Sequence, residues 1–268
     1  MQLKFVKMHG IGNDFMLVEW PPDRPAPSPE RIRALGDRRL GVGFDSLLLI
    51  QVGGYRVFNS DGSEAEQCGN GARCVAAHIA GGKPGEIELV SLAGPVTARV
   101  DEGGVVAVNL GQPDFRPEAL QFEAEAEAES DNYQLELESA QVEFGIVSMG
   151  NPHAVIAVDS VDDARVGIIG AELADHPAFA EGVNVGFVEQ VSTSCLRLRV
   201  YERGIGETLA CGTGAAAAVA IGRRHGTLDR QVAVELPGGR LDVEWSGVGA
   251  DLWQTGQTTT VYEGLIEI

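Results

Sequence analysis

Two segments of this chain place a thiol directly ahead of Gly-x-Gly-Ala and a run of helix formers: Cys68 in CGNGARCVAAHIAGG (68–82) and Cys211 in CGTGAAAAVAIGRRHG (211–226). Glycine lets the backbone turn tightly and approach a ligand, and the alanine-rich stretch behind it favours helix. Each cysteine is therefore predicted at a helix N-terminus, with Gly81–Gly82 closing one helix and Gly226 the other. A thiol in that place meets free amide N–H groups and the positive end of the helix dipole, which favour its thiolate. The same amides can hold a carboxylate or an oxyanion, so acid, base and anion cradle arrive together. One CGxGA segment would equally suit a plain helix start. Two copies in register make the functional reading the better one.

The register extends beyond the two cysteine motifs. The two cysteines stand 143 positions apart, and at that offset Arg56 falls on Arg199, Val57 on Val200, Glu64 on Glu207, Gly69 on Gly212 and Gly71 on Gly214. Val42, Gly43 and Phe44 fall on Val185, Gly186 and Phe187, which extends the repeat to 30 residues or more per half. Two related halves, each presenting one cysteine at an equivalent place, outline a two-base active site. Asparagines mark the remaining sites. Asn13 in GNDF (12–15) has a counterpart in Asn151 of GNPH (150–153), at an offset of 138. Asn59 and Glu202 each precede their cysteine by nine residues, Arg203 follows Glu202, and Asn184 sits in VNVGF. A set of asparagines can bind an ammonium and a carboxylate together, although singly such residues are ordinary turn formers. His153 reads equally as a proton-transfer auxiliary or as a hydrogen-bonded histidine at a strand entrance. Cys74, inside an apolar helical run, and Cys195, opening a strand, read as small buried hydrophobes.

The elements that must position these residues are β-rich. Alternation in VTARVDEGGVVAVNLG (96–111) and QVAVELPGGRLDVEW (231–245), each broken by a Gly-Gly pair, predicts hairpins. SPERIRALGDRRLG (28–41) predicts a helix with Ser28 as N-cap, Pro29 in the first turn and Gly41 as the stop. QPDFRPEALQ (112–121) carries two prolines and leads into the alternating FEAEAEAES (122–130), read as a solvated edge strand or linker at the domain boundary. Each alanine-rich helix is expected inside a curved mixed sheet that buries its alanine face.

A chain of 268 residues suffices for two domains with their own cores, and 44% hydrophobic with 22% charged residues is globular rather than disordered. A formal net charge of −19 repels phosphate backbones and argues against a nucleic-acid partner. No apolar run has the length of a membrane helix, and the N-terminus MQLKFVKMHG lacks a signal-peptide pattern, so the expected location is cytoplasmic. Four cysteines without a CxxC pair make a disulfide framework or a metal site improbable.

The segments MHGIGNDF (8–15), FNSDGSEAEQCGNGARC (58–74), VSMGNPHAV (147–155), VNVGF (183–187), YERGIGETLACGTGA (201–215) and VELPGGRLDVEW (234–245) closely resemble diaminopimelate epimerases, and the resemblance runs to VYEGLIEI at the end. It implies an α+β fold of two pseudo-symmetric lobes, each a β-rich barrel-like mixed sheet around a central helix. Residues 1–117 would form the lobe carrying Cys68 and residues 118–262 the lobe carrying Cys211, with the strand 263–268 returning to the first. The implied reaction is interconversion of LL- and meso-2,6-diaminopimelate, for lysine and peptidoglycan synthesis, without cofactor or metal.

Carried over by motif, Cys211 is the proton acceptor and Cys68 the donor in the LL-to-meso direction. Gly69, Asn70, Gly212 and Thr213 would hold the reacting carboxylate. Asn13, Asn59, Asn151, Asn184 and Arg203 would bind the substrate's ammonium and carboxylate groups. Glu202 would contact the reacting end and, with His153, set the thiols' protonation. Tyr262 resembles a tyrosine at the family's dimer contact, which implies a homodimer. Ser46 stands where the family commonly has glutamine and is too short to reach the same ligand group directly, so a water-bridged or weaker contact is implied there. Proline racemases and hydroxyproline epimerases, which also pair cysteines on a similar two-lobed fold, are the nearest enzymatic alternative. A catalytically idle amino-acid-binding or thiol-redox protein is the alternative from another class, and retention of both cysteines with both glycine turns argues against it.

Overall fold

The computed structural model describes residues 2–123 and 131–267, so the Ala-Glu run at 124–130 lies outside the described residues. Contacts group the chain into two units, Met1–Asn109 with Thr255–Ile268, and Leu110–Gln254. The first thus ends ahead of the proline-containing segment 112–121 and takes back the whole of the last strand.

The first unit contains β1 (Gln2–Gly10), β2 (Asn13–Glu19), α1 (Pro29–Gly36), β3 (Ser46–Gln51), β4 (Gly54–Asn59), β5 (Glu64–Ala65), α2 (Gly69–Ala80), β6 (Gly85–Ser91), β7 (Gly94–Val100) and β8 (Val106–Asn109). The second contains β9 (Tyr133–Glu136), β10 (Gln141–Ser148), β11 (Pro152–Ala157), α3 (Val166–Ala174), β12 (Asn184–Ser192), β13 (Cys195–Glu202), β14 (Gly206–Thr208), α4 (Gly212–Arg224), β15 (Gln231–Leu236) and β16 (Gly239–Glu244). The chain passes back through β17 (Trp253–Gly256) to β18 (Thr259–Glu267), in the first unit.

Both units repeat one pairing scheme. Antiparallel, parallel, antiparallel, parallel and antiparallel ladders run through β1–β2–β3–β4–β6–β7 in the first. The same five run through β10–β11–β12–β13–β15–β16 in the second. Within its unit, α2 packs against β1, β2, β3, β6, β7 and β8, and α4 against β10, β11, β12, β13 and β16. The fold is α+β, with each mixed sheet curled around one central helix. The hairpins expected at 96–111 and 231–245 form as β7–β8 and β15–β16.

A sheet covered on both faces needs apolar residues at every position, and SLLLIQ of β3 supplies them. Leu47 and Leu49 join Met16, Val18, Ile32, Leu35 and Phe44 in one core cluster that includes α1. Leu48, one residue out of phase, meets α2: a Cβ on Gly71 would lie 3.3 Å from its Cδ2. Glycine at 71 thus lets the helix start approach the sheet closely. In the second unit, Phe122, Tyr133, Phe144, Phe179 and Phe187 build the corresponding core with α3, and Ala215 to Ala220 bury the central helix. Burying each large side chain contributes about 1.5–3 kcal/mol.

The structure corrects two expectations. Helix α1 begins as predicted, with Ser28 Oγ accepting the Arg31 N–H at 3.3 Å, but stops at Gly36 rather than Gly41. Asp37 ends it: its carboxylate takes the Arg39 and Leu40 N–H groups, both at 2.7 Å, and so removes donors that a continuing helix would use. The second correction concerns the repeat. Phe15 pairs with Ser46 between β2 and β3, and His153 with Asn184 between β11 and β12, so the counterpart of Ser46 is Asn184, at an offset of 138. The Val-Gly-Phe match at 143 is therefore coincidental, since 42–44 precede β3 while 185–187 lie within β12. The offset becomes 143 only beyond the β12–β13 turn, where Val57↔Ala65 corresponds to Val200↔Thr208. There the repeated Arg and Glu explain themselves as braces: Arg56 bonds Glu64 at 2.7 Å, and Arg199 bonds Glu207 at 2.6 Å, across the strands that lead to each cysteine.

Candidate active site

In the first unit, Cys68 is the N-cap of α2, and its Sγ accepts the Gly71 N–H at 3.4 Å. The first amides of a helix have no acceptor within it, which leaves this turn suited to an anion. Asn13 reaches the sulfur from the start of β2, after a turn whose Ile11 and Gly12 carry φ of 48° and 91°. Its Oδ1 lies 3.8 Å from Cys68 Sγ and accepts Asn70 Nδ2–H at 3.2 Å. Its Nδ2 donates to Asp45 at 2.9 Å. Cys68, Asn13 and Asn70 thus meet in one place. Ser46 is buried at the head of β3, opposite Asn59 in the β3–β4 ladder, and Asn59 Nδ2 donates to Ser63 Oγ at 3.0 Å.

An ionic cluster stands behind this half-site. Lys7, buried, donates to the Asp14 carboxylate and to the Gly43 carbonyl, and Arg38 bonds both Asp14, at 2.8 Å, and Asp45, at 2.6 Å. Burial pushes the Asp14 carboxyl up, but the hydrogen bonds and charges of Arg38 and Lys7 outweigh it and bring it down to about 2. On α2, Arg73 is wholly buried and donates to Asn70 Oδ1. Burial lowers it to about 10, so it stays charged at neutral pH. Burial pushes the Cys74 thiol up to about 12, against the pull of Arg73, and that residue is an inert core thiol as expected. The buried Tyr55 phenol is raised by desolvation and further by the neighbouring Cys68.

In the second unit, Cys211 is the buried N-cap of α4, and its Sγ lies 3.7 Å from Thr213 Oγ1. Asn151 Nδ2 donates to that hydroxyl at 3.2 Å, and Asn151 Oδ1 is 3.1 Å from His153 Nε2. His153 is fully enclosed. Burial, followed by the charge of Arg203, brings it down to about 3, so the ring is neutral at pH 7 and donates Nε2–H to Asn151. Asn184 fastens two chain segments, donating to the Pro152 carbonyl at 3.0 Å and accepting the Arg203 N–H at 3.1 Å. Thr208 Oγ1 donates to Glu202 Oε1 at 2.5 Å, and Arg203 Nη1 donates to the Glu181 carbonyl. Cys211, Thr213, Asn151 and His153 therefore form one chain, with Asn184 and Arg203 tied together beside it. Gly212 opens α4, and its carbonyl accepts Nε2–H of the fully buried Gln254 at 2.6 Å.

Among the residues that escape sequence reasoning are Asp45, Arg73 and Gln254. An arginine inside an alanine-rich helix is the signal that could have exposed Arg73. Tyr262 lies on β18, paired with Lys7 of β1 and edge-on to Phe5 at 5.8 Å, and is 43% exposed. Among the described residues no helix is long and apolar enough to cross a membrane.

Each half-site thus offers a thiol at a helix start, an asparagine hydrogen-bonded to the second residue of that helix and amides for an anion, which is the equipment for moving a proton at a carbon next to a carboxylate. The family model described as diaminopimelate epimerase matches residues 5–116 and 145–261. A diaminopimelate epimerase from Chromobacterium violaceum is 48% identical over 278 residues, covering 100% of this chain and 100% of that protein. Among solved structures, a hydroxyproline epimerase from Agrobacterium vitis aligns with a TM-score of 0.72 at 17% identity, over 99% of this chain and 92% of that one. A Bacillus anthracis phenazine biosynthesis protein of the PhzF family aligns with a TM-score of 0.69 at 17% identity, over the whole of both chains. At such identities the structural likeness speaks to the fold alone.

Proposed function

This chain belongs to the diaminopimelate epimerase family and is an amino-acid epimerase, and we propose that it interconverts LL- and meso-2,6-diaminopimelate by proton transfer at Cα between Cys211 and Cys68. The observation that carries the proposal is the duplication: two units with one pairing scheme, each ending its braced strand pair in a thiol that caps the central helix.

An α-proton of an amino acid is far less acidic than any side chain, so its removal needs fixed dipoles around the developing charge and a site closed to water. In the LL-to-meso direction, Cys211 enters as thiolate and takes the α-proton from one face. Cys68 enters as thiol and delivers its proton to the carbanion from the other. The centre inverts, and the two sulfurs exchange protonation states. A thiol of ordinary pKa about 8.5 sits close enough to neutrality for either role. The amides of Gly69, Asn70, Gly212 and Thr213 take the reacting carboxylate as its charge grows. Thr213, held by Asn151 and through it by neutral His153, donates to the Cys211 thiolate. Glu202 receives the ammonium of the reacting end. Asn13, Asn59, Asn151, Asn184 and Arg203 serve the remaining ammonium and carboxylate groups, with Ser46 contributing through a bridging water or a weaker contact. The reading requires the two thiols to flank a single Cα.

The product would feed lysine and peptidoglycan synthesis, and the enzyme would work in the cytoplasm as a homodimer with Tyr262 at the contact. The scheme enlists no cofactor, metal or nucleic-acid partner. NMR of LL-diaminopimelate in deuterated buffer with reduced enzyme tests it. Deuterium is expected at Cα together with meso product, and epimerisation is expected to vanish in both Cys68→Ala and Cys211→Ala. Retained epimerisation in either variant overturns the two-thiol mechanism.

A further inference from the structure

Two charged residues that the mechanism does not use stand at the ends of the hydrogen-bond chain that leads to Cys68. The Asp45 carboxylate can only accept, and it takes Asn13 Nδ2–H at 2.9 Å. The Arg73 guanidinium can only donate, and it gives an N–H to Asn70 Oδ1. Each fixes one side of an amide, which leaves one orientation for the other side: Asn70 Nδ2 toward Asn13 Oδ1, at 3.2 Å, and Asn13 Oδ1 toward Cys68 Sγ, at 3.8 Å. An isolated asparagine can turn its amide either way. Here a charge at each end removes the choice. Arg73 is 0% exposed, and Gly10 makes room for it, since a Cβ at Gly10 would lie 3.2 Å from Arg73 Nη2.

The consequence falls on the sulfur. A carbonyl oxygen accepts from S–H and repels S⁻, whereas the Gly71 N–H, at 3.4 Å, the positive end of α2 and the direct charge of Arg73 favour S⁻, so the carbonyl acts against all three. The other charged or titratable groups in this surround are Cys74 on α2, Tyr55 on β4, and Lys7, Asp14 and Arg38 behind Asp45. His9 on β1 accepts the Gly12 N–H, His78 faces Glu19, and Arg99 pairs with Glu86 on the exposed face of β6 and β7. Among the described residues the second unit carries no such relay: by the structural offsets of 138 and 143, Asp45 corresponds to Val183 and Arg73 to Ala216. Cys211 lies beside a hydroxyl that can donate.

We propose that Asp45 and Arg73 are positioning residues for the proton transfer: through Asn13 and Asn70 they hold a carbonyl oxygen against Cys68, so that this thiol keeps its proton against the helix N-terminus until the carbanion takes it. The proposal rests on the reading of Cys68 as the proton donor.

Alkylation of the reduced full-length protein by iodoacetamide across pH, with the Cys68 peptide followed by mass spectrometry, reads the midpoint of Cys68 ionisation. Asp45→Asn is expected to lower that midpoint by about one pH unit, a tenfold gain in thiolate below it. Asn13→Ala is expected to lower it similarly, and adding Asp45→Asn to Asn13→Ala to change nothing further. Arg73→Lys, which keeps a donor-only group, leaves the midpoint in place, and a displaced midpoint there removes Arg73 from the relay. An equal Asp45→Asn effect with and without Asn13 would mean a field acting through space and would overturn the relay. So would an unmoved midpoint in Asn13→Ala, which decides the matter even if Asp45→Asn fails to fold. Epimerisation surviving Cys68→Ala would instead sink the donor reading itself, whatever the midpoints.

Discussion

Asn151 and Thr213 share a 3.2 Å hydrogen bond in which the asparagine amide donates, which leaves the threonine hydroxyl proton for Cys211 Sγ, 3.7 Å away. A hydrogen bond to a charged partner is worth about 1.5–3 kcal/mol. Thr213→Ala should therefore lower kcat by roughly 10- to 100-fold while Thr213→Ser stays within a few-fold of the parent. Steady-state epimerisation assays of the two variants check this, and equal losses in both would remove the hydroxyl from the mechanism.

His153 predicts an acid-side dependence of stability. Its pKa is about 3 when folded, against 6.5 as the ordinary value, so between these limits the unfolded chain binds the extra proton. The contribution is complete above pH 6.5 and is lost as pH falls toward 3, at up to about 1.4 kcal/mol per pH unit. Urea unfolding at a series of pH values should show His153→Gln with a flatter decline than the parent across that window. Parallel declines would contradict the neutral, enclosed ring.

Asp14 carries a different kind of dependence. Lys7 is 6% exposed, and the Asp14 carboxylate is its ionic partner. Removing one member of a buried pair typically costs about 3–5 kcal/mol because the other is left uncompensated. Asp14→Ala should be destabilised by that amount in denaturant unfolding, and Lys7→Met combined with Asp14→Ala should recover part of it. A single variant within about 1 kcal/mol of the parent would show that solvent reaches Lys7 freely.

Much of this site is legible in the residues, and what is not has identifiable physical causes. Both helix starts, their glycine stops and the hairpins at 96–111 and 231–245 follow from spacing alone, because they depend on local propensity. The Val-Gly-Phe coincidence misleads because the β12–β13 hairpin is longer than β3–β4, so residues ahead of it repeat at an offset of 138 and residues beyond it at 143. Gly41 is a plausible helix stop, but the Asp37 side chain captures the following amides first. Arg73 would pass for a solvated face of its helix. It is buried because β1, β2, β3, β6, β7 and β8 pack around its part of the helix, a tertiary effect that no periodicity carries.

Gln254 illustrates the same limit and gives a fourth test. Its amide is buried far along the chain from Gly212, whose carbonyl it holds at the first turn of the Cys211 helix. Gln254→Leu leaves that carbonyl without this donor and should cost about 1–3 kcal/mol of stability. Because the slack appears at the helix start, kcat should fall more than the substrate KM rises. A thermal melt together with full kinetics measures both, and an unchanged kcat would confine Gln254 to a structural role.

The pairing of β18 with β1 has a consequence for biogenesis. The Cys68 unit is built from two separated stretches, Met1–Asn109 and Thr255–Ile268, whereas Leu110–Gln254 is one uninterrupted stretch. During synthesis β1 emerges well before β18, its partner in the ladder, while the Cys211 unit has all of its residues once Leu110–Gln254 is out. The unit that begins first therefore cannot complete its sheet until the other has emerged in full.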